Sequence, residues 1–323
     1  MNVSEILIPS EEEHLCLYPM DFEEFLWAQG DENSLRYVEE CFHDRKPLGA
    51  AAHRGLTKLF RQYLLVGGMP EAVRAFVTNK LSLKHADAVK RQILTLYRND
   101  IAKFARGYEV KVRSLFDEIP SQLQRHDKKF KLAALGQTAR FRTYENALLW
   151  LSDAMMVNNC YSCTEPNVGL RLRRERLSFK CYMGDTGLLI AHAFDENELM
   201  SSSLYDKLLQ GKLEVNEGMI GENMVAQMLR AAGHQLYFYT CASREHADER
   251  MEIDFLTVKH NVTNRHNVCP IEVKTGRRYA LSSLKKFLNK FAGYVDTPYV
   301  VHDGDFRVED GIVYIPFYAV PFL

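Results

Sequence analysis

The spacing of charges in two adjacent apolar runs constrains this chain more than any other feature. Glu252-Ile-Asp-Phe-Leu-Thr-Val258 and Pro270-Ile-Glu-Val-Lys274 both read as strands, and the segment between them, Lys259 to Cys269, is rich in Asn, His and Thr. Alternate side chains of a strand share a face, so Glu272 and Lys274 point one way while Ile271 and Val273 point the other. A hairpin turning near residues 263 and 264 sets Asp254 opposite residue 273, give or take one, by antiparallel pairing. Asp254 then flanks both Glu272 and Lys274. Two carboxylates and an ammonium are thereby gathered at one point of a sheet, an arrangement able to hold a magnesium ion and polarise a phosphodiester.

Outward from the hairpin the elements come in a definite order. Glu217 to Ala232 carries the helical stripe Ile220, Met224 and Met228, widened by Val225 and Leu229, with Gly233 where a C-terminal cap belongs. Glu222 sits at the edge of the buried face of that helix. Gln235 to Thr240 alternates as a strand, the two charged strands follow, and then come a helix from Leu281 to about Gly293 and a strand from Pro298 to His302. Helix, three strands, helix, strand is a mixed α/β unit.

Upstream, Val112 to Leu123, Leu132 to Leu135 and Thr143 to Met155 read as helices, the last with Ala147, Leu148, Leu151 and Met155 inward. Val157 to Cys163 and Leu177 to Met183 are strands, joined by a loop carrying Arg171, Arg173, Arg174 and Arg176. That order is winged-helix-like: the third helix would enter a major groove while the loop touches the backbone. A packing lid fits the same segment, because Trp150 and Met156 leave little polar surface for base reading. Farther upstream the chain is helix-rich, with a turn at Gly67-Gly68-Met69-Pro70, and Asp185 has the position of a helix N-cap.

Composition narrows the class. A chain of 323 residues with 46% apolar and 26% charged positions can bury two or three domain cores. Its first residues show no secretory pattern, and no stretch reaches the roughly 18 apolar residues of a membrane span. A cytoplasmic protein with no membrane partner is expected. Seven cysteines without regular spacing argue against a disulfide framework. Cys160-Tyr-Ser-Cys163 has half the spacing of a zinc site but no second pair, so buried thiols are expected there. The net charge of −1 gives no global attraction to nucleic acid. Positive charge is concentrated locally, in the Arg171 to Arg176 cluster and in Arg277, Arg278, Lys285, Lys286 and Lys290 beside the carboxylates.

These segments carry a resemblance. Gly221-Glu-Asn-Met-Val225, Met251-Glu-Ile-Asp-Phe255 and Pro270-Ile-Glu-Val-Lys-Thr-Gly276 resemble the signature segments of the PD-(D/E)XK, or restriction-endonuclease-like, superfamily. More narrowly, they resemble the C-terminal domain of unknown function attached to a prokaryotic family of AAA-type ATPases. Leu17-Tyr-Pro-Met-Asp-Phe-Glu-Glu-Phe-Leu26, Tyr63-Leu-Leu-Val-Gly-Gly-Met-Pro-Glu71 and Phe179-Lys-Cys-Tyr-Met-Gly-Asp-Thr-Gly-Leu-Leu189 resemble further boxes of that family. The resemblance implies a remnant following a missing ATPase core at 1–50 and a helical lid-like region at 51–110. It also implies a winged-helix-like domain at 111–200 and a restriction-endonuclease-like three-layer α/β domain at 205–323. One departure is plain: no Gly-x-x-x-x-Gly-Lys-Ser/Thr phosphate loop occurs, so the chain by itself is not expected to be an ATPase.

The resemblance also implies a reaction. Asp254 and Glu272, with Glu222 directly or through water, would hold Mg²⁺ or Mn²⁺, and Lys274 would orient water or stabilise charge on the phosphate. DNA is the expected substrate, with Arg277, Arg278, Lys285, Lys286, Arg171, Arg173 and Arg174 on its backbone. The alternative is a catalytically silent module that binds DNA or a partner and works with a separate AAA-type ATPase.

Overall fold

The computed structural model describes residues 15–137, 139–167, 169–195, 217–242, 249–259, 265–276 and 278–323. Its strands are β1 Val157–Cys163, β2 Arg174–Met183, β3 Tyr237–Cys241, β4 Met251–Val258, β5 Val268–Lys274, β6 Tyr299–His302, β7 Arg307–Glu309 and β8 Ile312–Pro316. All eight lie in one sheet, ordered β2-β1-β3-β4-β5-β6-β8-β7. The strands β4 and β5 pair antiparallel through Phe255↔Ile271. Continued one step, that register sets Asp254 opposite Glu272, within one residue of the expected pairing. On the far side of β5 the pairing becomes parallel, Glu272↔Val300 and Lys274↔His302, and β6 pairs parallel with β8.

The hairpin β1–β2, expected as a wing, belongs to this same sheet. Tyr161 and Ser162 pair in parallel with Tyr237 and Phe238, so pairing crosses the boundary expected near residue 200. The strands β7 and β8 were not anticipated: β7 has three residues, all exposed, and β8 is an apolar run ending in proline.

Helices cover both faces of the sheet. They are α1 Phe22–Trp27, α2 Ser34–Asp44, α3 Ala50–Val66, α4 Pro70–Thr78, α5 Leu83–Phe104, α6 Glu109–Gln124, α7 Phe141–Asp153, α8 Thr186–Ala193, α9 Glu217–Ala231 and α10 Ser282–Lys290. The fold is mixed α/β, as expected. Leu132–Leu135 forms a 3₁₀ turn instead of a helix of its own. Met155 does not point inward: it is 36% exposed and left-handed, while Ala147, Leu148 and Leu151 are buried.

Period-2 alternation divides the core in two. Phe238, Phe255, Ile271, Val273, Val301, Val313 and Ile315 pack with Met224, Val225 and Met228 of α9 and with the upstream helices. Tyr239, Ile253, Val300, Ile312 and Tyr314 pack with Leu284 and Phe287 of α10. The apolar stripe of α9 is as read, but the helix has no solvated face there: Asn223 and Gln227 are buried as well. Asn223 accepts from the backbone N–H of Met183, and Gln227 accepts from that of Thr186. These side chains hold α9 to the end of β2 and the start of α8, and backbone groups there take the place of water.

Asp185 caps α8 as expected, accepting from Leu188 N–H, and its other oxygen accepts from Gly68 N–H at 2.6 Å. The turn at Gly67 and Gly68 is thereby pinned against α8. No side chain fits there: a Cβ on Gly68 would lie 2.1 Å from the Met20 carbonyl oxygen, and one on Gly187 would lie 2.4 Å from that of Val66. The described cysteines are free thiols, and Cys163 donates to the carbonyl of Glu165.

Candidate functional site: a buried carboxylate and lysine cluster

The residues expected to form a site come together beneath the sheet centre, with companions that the sequence reading did not name. Glu222 is 6% exposed and Glu272 2%. Oδ2 of Asp254 accepts from Val273 N–H at 2.8 Å, which locks the Asp254 carboxylate against β5. Lys274 Nζ lies 2.5 Å from Glu272 Oε2, so the two residues of one strand face pair with each other. Glu222 is held differently. It forms an ion pair with Lys128 on one oxygen and accepts from the Tyr182 hydroxyl at 3.0 Å on the other.

Lys180, on β2, is the central one of the residues that sequence reasoning missed, the others being Lys128, Tyr182 and Glu252. Its ammonium is 1% exposed and lies 2.7 Å from Glu252, 3.8 Å from Glu222 and 3.9 Å from Asp254. A lysine in the middle of the apolar run Phe179 to Met183 was the available signal, since a buried ammonium needs anions around it.

Charge and burial divide the acids into two groups. Burial pushes the Asp254 carboxyl up to about 6, helped by the Glu222 charge and opposed by Lys180 and Lys274. Burial likewise pushes Glu272 up to about 8, with the Asp254 charge next and Lys274 opposing. Glu222 goes the other way: burial opposes its charge, but Lys180 and Lys128 outweigh burial and hold it below the usual carboxylate range. For Lys180 burial works against the charge and the three carboxylates overcome it, keeping the ammonium ionised above its ordinary range. Oε1 of Glu272 is buried and has no hydrogen-bond partner.

The alternation of β5 explains this division. Ile271 and Val273 lie in the core under α9, so Glu272 and Lys274 turn toward the opposite face, whereas Glu222 hangs from α9 itself. Asp254 lies between the two. Accordingly, no group of three acids, histidines or cysteines close enough to hold one metal ion occurs among the described residues.

The two basic clusters are not brought together. Arg278 and Lys285 line a cavity at the ends of β5 and β6. Lys286 donates to the Arg250 carbonyl. Arg171, Arg173 and Arg174 lie at the β2 edge instead, where Arg173 pairs with Glu165 at 3.2 Å and Arg174 covers the Tyr161 ring. Arg277 lies outside the described residues.

Fold and site together define a mixed α/β protein with charged side chains buried at the junction of antiparallel and parallel strands. Residues 217–320 match the family model described as a domain of unknown function, DUF4143, which is typically found after AAA ATPase domains. Residues 57–198 match a second domain of unknown function, DUF8612. The cluster draws on both, since Lys128 and Lys180 come from the second segment and the acids from the first. No curated protein matches the chain, and no solved structure does. No helix among the described residues is long and apolar enough to cross a membrane.

Proposed function

We propose that this chain is a divalent-cation-dependent phosphodiesterase of PD-(D/E)XK type that acts on DNA in the cytoplasm, alongside a separate AAA-type ATPase. The observation that carries this reading is the pair Asp254 and Glu272. They are carboxyls on adjacent strands, Glu272 buried and Asp254 partly so, both with raised proton affinity, and one oxygen of Glu272 lacks a partner. Such a pair favours any added positive charge. Their oxygen donors suit Mg²⁺ or Mn²⁺, so the residues present fit the ion. When bound, the ion supplies positive charge to a phosphate oxygen and acidifies the attacking water.

The chain's own groups do the rest. Lys274 is the most exposed of the four expected site residues, its side chain 24% accessible, and can reach a phosphate. Its ammonium stabilises the charge on the phosphoryl oxygens as the water oxygen bonds to phosphorus and the bridging P–O bond breaks. The attacking water gives its proton to bulk water, and the leaving oxygen takes one back from it. Glu222 positions Lys180 beside Asp254 and is not itself a ligand.

Purified protein given Mg²⁺ or Mn²⁺ should cut supercoiled or linear DNA, EDTA should stop it, and Asp254→Ala and Lys274→Ala should each abolish it. Metal-dependent cutting that persists unchanged in both variants would sink the assignment. A second reading, a silent DNA- or partner-binding module, draws on Lys180 and Lys128, which already neutralise Glu222. No cutting by the wild type under any metal condition would favour it.

A further inference from the structure

A cavity of about 1370 Å³ lies at the C-terminal ends of β5 and β6, where ligands of parallel sheets commonly bind. One wall is α3, outside the segment that carries the acids. Arg54, Lys58 and Arg61 recur there at helical spacing, a row roughly 10 Å long at 1.5 Å per residue. The opposite wall holds Arg278, Lys285 and Arg307, together with the start of α10, whose N-cap position Leu281 offers no side-chain cap. Three acids line the same space, and two are engaged. Asp303 accepts from Gly276 N–H, and Glu309 pairs with Arg307 at 3.5 Å. In a chain of net charge −1, this is a local excess of positive charge.

The floor is aromatic and partly unsatisfied. His302 is 4% exposed, and its Nε2 is buried without a hydrogen-bond partner. Tyr279 and Tyr314 flank it, the Arg307 guanidinium lying 3.8 Å above the Tyr314 ring. The register Lys274↔His302 puts these two side chains on one face of neighbouring strands, whose backbones are about 4.8 Å apart. The cavity therefore opens beside the Glu272 and Lys274 side of the cluster.

We infer that this cavity binds a single-stranded polynucleotide, with its phosphates on Arg54, Lys58, Arg278 and Lys285, and leads the strand toward Lys274. Cations lining the cavity from two elements, with the half-buried Tyr279 ring between them, are the makings of a single-strand groove. The space also exceeds the roughly 300–1,000 Å³ of a pocket for one small molecule. Only the last step, delivery to Lys274, rests on the phosphodiesterase reading.

The test is fluorescence anisotropy of the full chain with a labelled single-stranded oligodeoxynucleotide in EDTA, so that binding is read without cleavage. Arg54→Ala/Lys58→Ala and Arg278→Ala/Lys285→Ala, all at exposed positions, should each weaken binding at least tenfold. Each should also flatten the salt dependence by about 1.4 in log–log slope, as expected for two lost phosphate contacts. Lys84→Ala/Lys103→Ala, at exposed positions of α5 away from the cavity, should bind as the wild type does, and thermal melts confirm that all variants fold. The inference is overturned if neither cavity variant weakens binding, or if the α5 variant weakens it as much as they do. It is equally overturned if duplex DNA competes better than single strand, if ATP or inorganic phosphate displaces the strand at the concentration of its own phosphates, or if no strand binds. Loss of the phosphodiesterase reading would show as intact binding with no metal-dependent cutting, so the two can fail separately.

Discussion

Replacing Lys180 by Met tests whether the buried cluster is held together as its distances imply. The side chains are close in length, so the change removes a charge and leaves the volume nearly intact. Glu252 at 2.7 Å loses its near partner, and Glu222 and Asp254 each lose a cation within 4 Å. Removing one member of a buried ion pair costs about 3–5 kcal/mol, because the partner charges stay buried. At about 2–4 °C per kcal/mol for a large domain, that corresponds to a fall in Tm of about 6–20 °C. Urea denaturation followed by circular dichroism in EDTA measures the loss directly. Adding Glu222→Gln to Lys180→Met should recover at least about 1 kcal/mol, since it removes one of the stranded charges. A loss below about 1 kcal/mol, or a double variant no better than the single one, would refute the account of Lys180 as the counter-charge of these acids.

Other perturbations follow from individual contacts. Asp185→Ala strands the buried N–H groups of Gly68 and Leu188 and should cost about 2–4 kcal/mol in denaturant unfolding. Gly68→Ala and Gly187→Ala each drive a Cβ into backbone and should lower stability by more than about 2 kcal/mol, whereas Gly293→Ala, with open space around it, should change little. Burial and Arg307 hold the His302 imidazole down to about 4 from 6.5, so the folded state binds fewer protons than the unfolded one between those values. The His302 contribution to stability should therefore fall as pH drops from about 6.5 toward 4, by about 2 kcal/mol once solvent screening is allowed for, while the raised Asp254 and Glu272 carboxyls contribute in the opposite sense. It is read as the difference between the pH–stability curves of the wild type and His302→Gln, which should close by about that amount over this window.

The legible parts of this chain were those whose pattern is local. Strand alternation around Asp254, Glu272 and Lys274 gave the hairpin register to within a residue, because a slip would turn every side chain to the wrong face. Gly233 and Asp185 were legible for the same reason, as caps whose chemistry is settled within four residues. What local pattern could not give was which faces a third layer would cover. The helix α9 has an apolar stripe, but its polar residues Asn223 and Gln227 are satisfied by β2 and α8, far away in sequence. The apolar run around Lys180 marked it as a buried cation, but not which acids it meets, for the same reason. Its partners lie 42 to 74 positions away, and only the joining of β1 and β2 to the main sheet brings it to them.

That joining bears on where a metal ion would sit. The cluster holds the acids Glu222, Glu252, Asp254 and Glu272 against Lys128, Lys180 and Lys274. With all of them ionised the acids exceed the lysines by one, and the excess is unevenly placed. Glu222 has two lysines and a tyrosine hydroxyl and stays readily ionised, while Asp254 and Glu272 are the carboxyls pushed upward. Added positive charge is therefore most favourable on the β4–β5 side. A metal ion placed at Glu222 would have to displace Lys128 or Lys180, each already in a buried pair. On the proposed reading, an ion would therefore bind the two strand acids, and the helix acid would support them through Lys180. Isothermal titration with Mn²⁺ separates the two: Glu272→Gln should abolish binding, and Glu222→Gln should retain it.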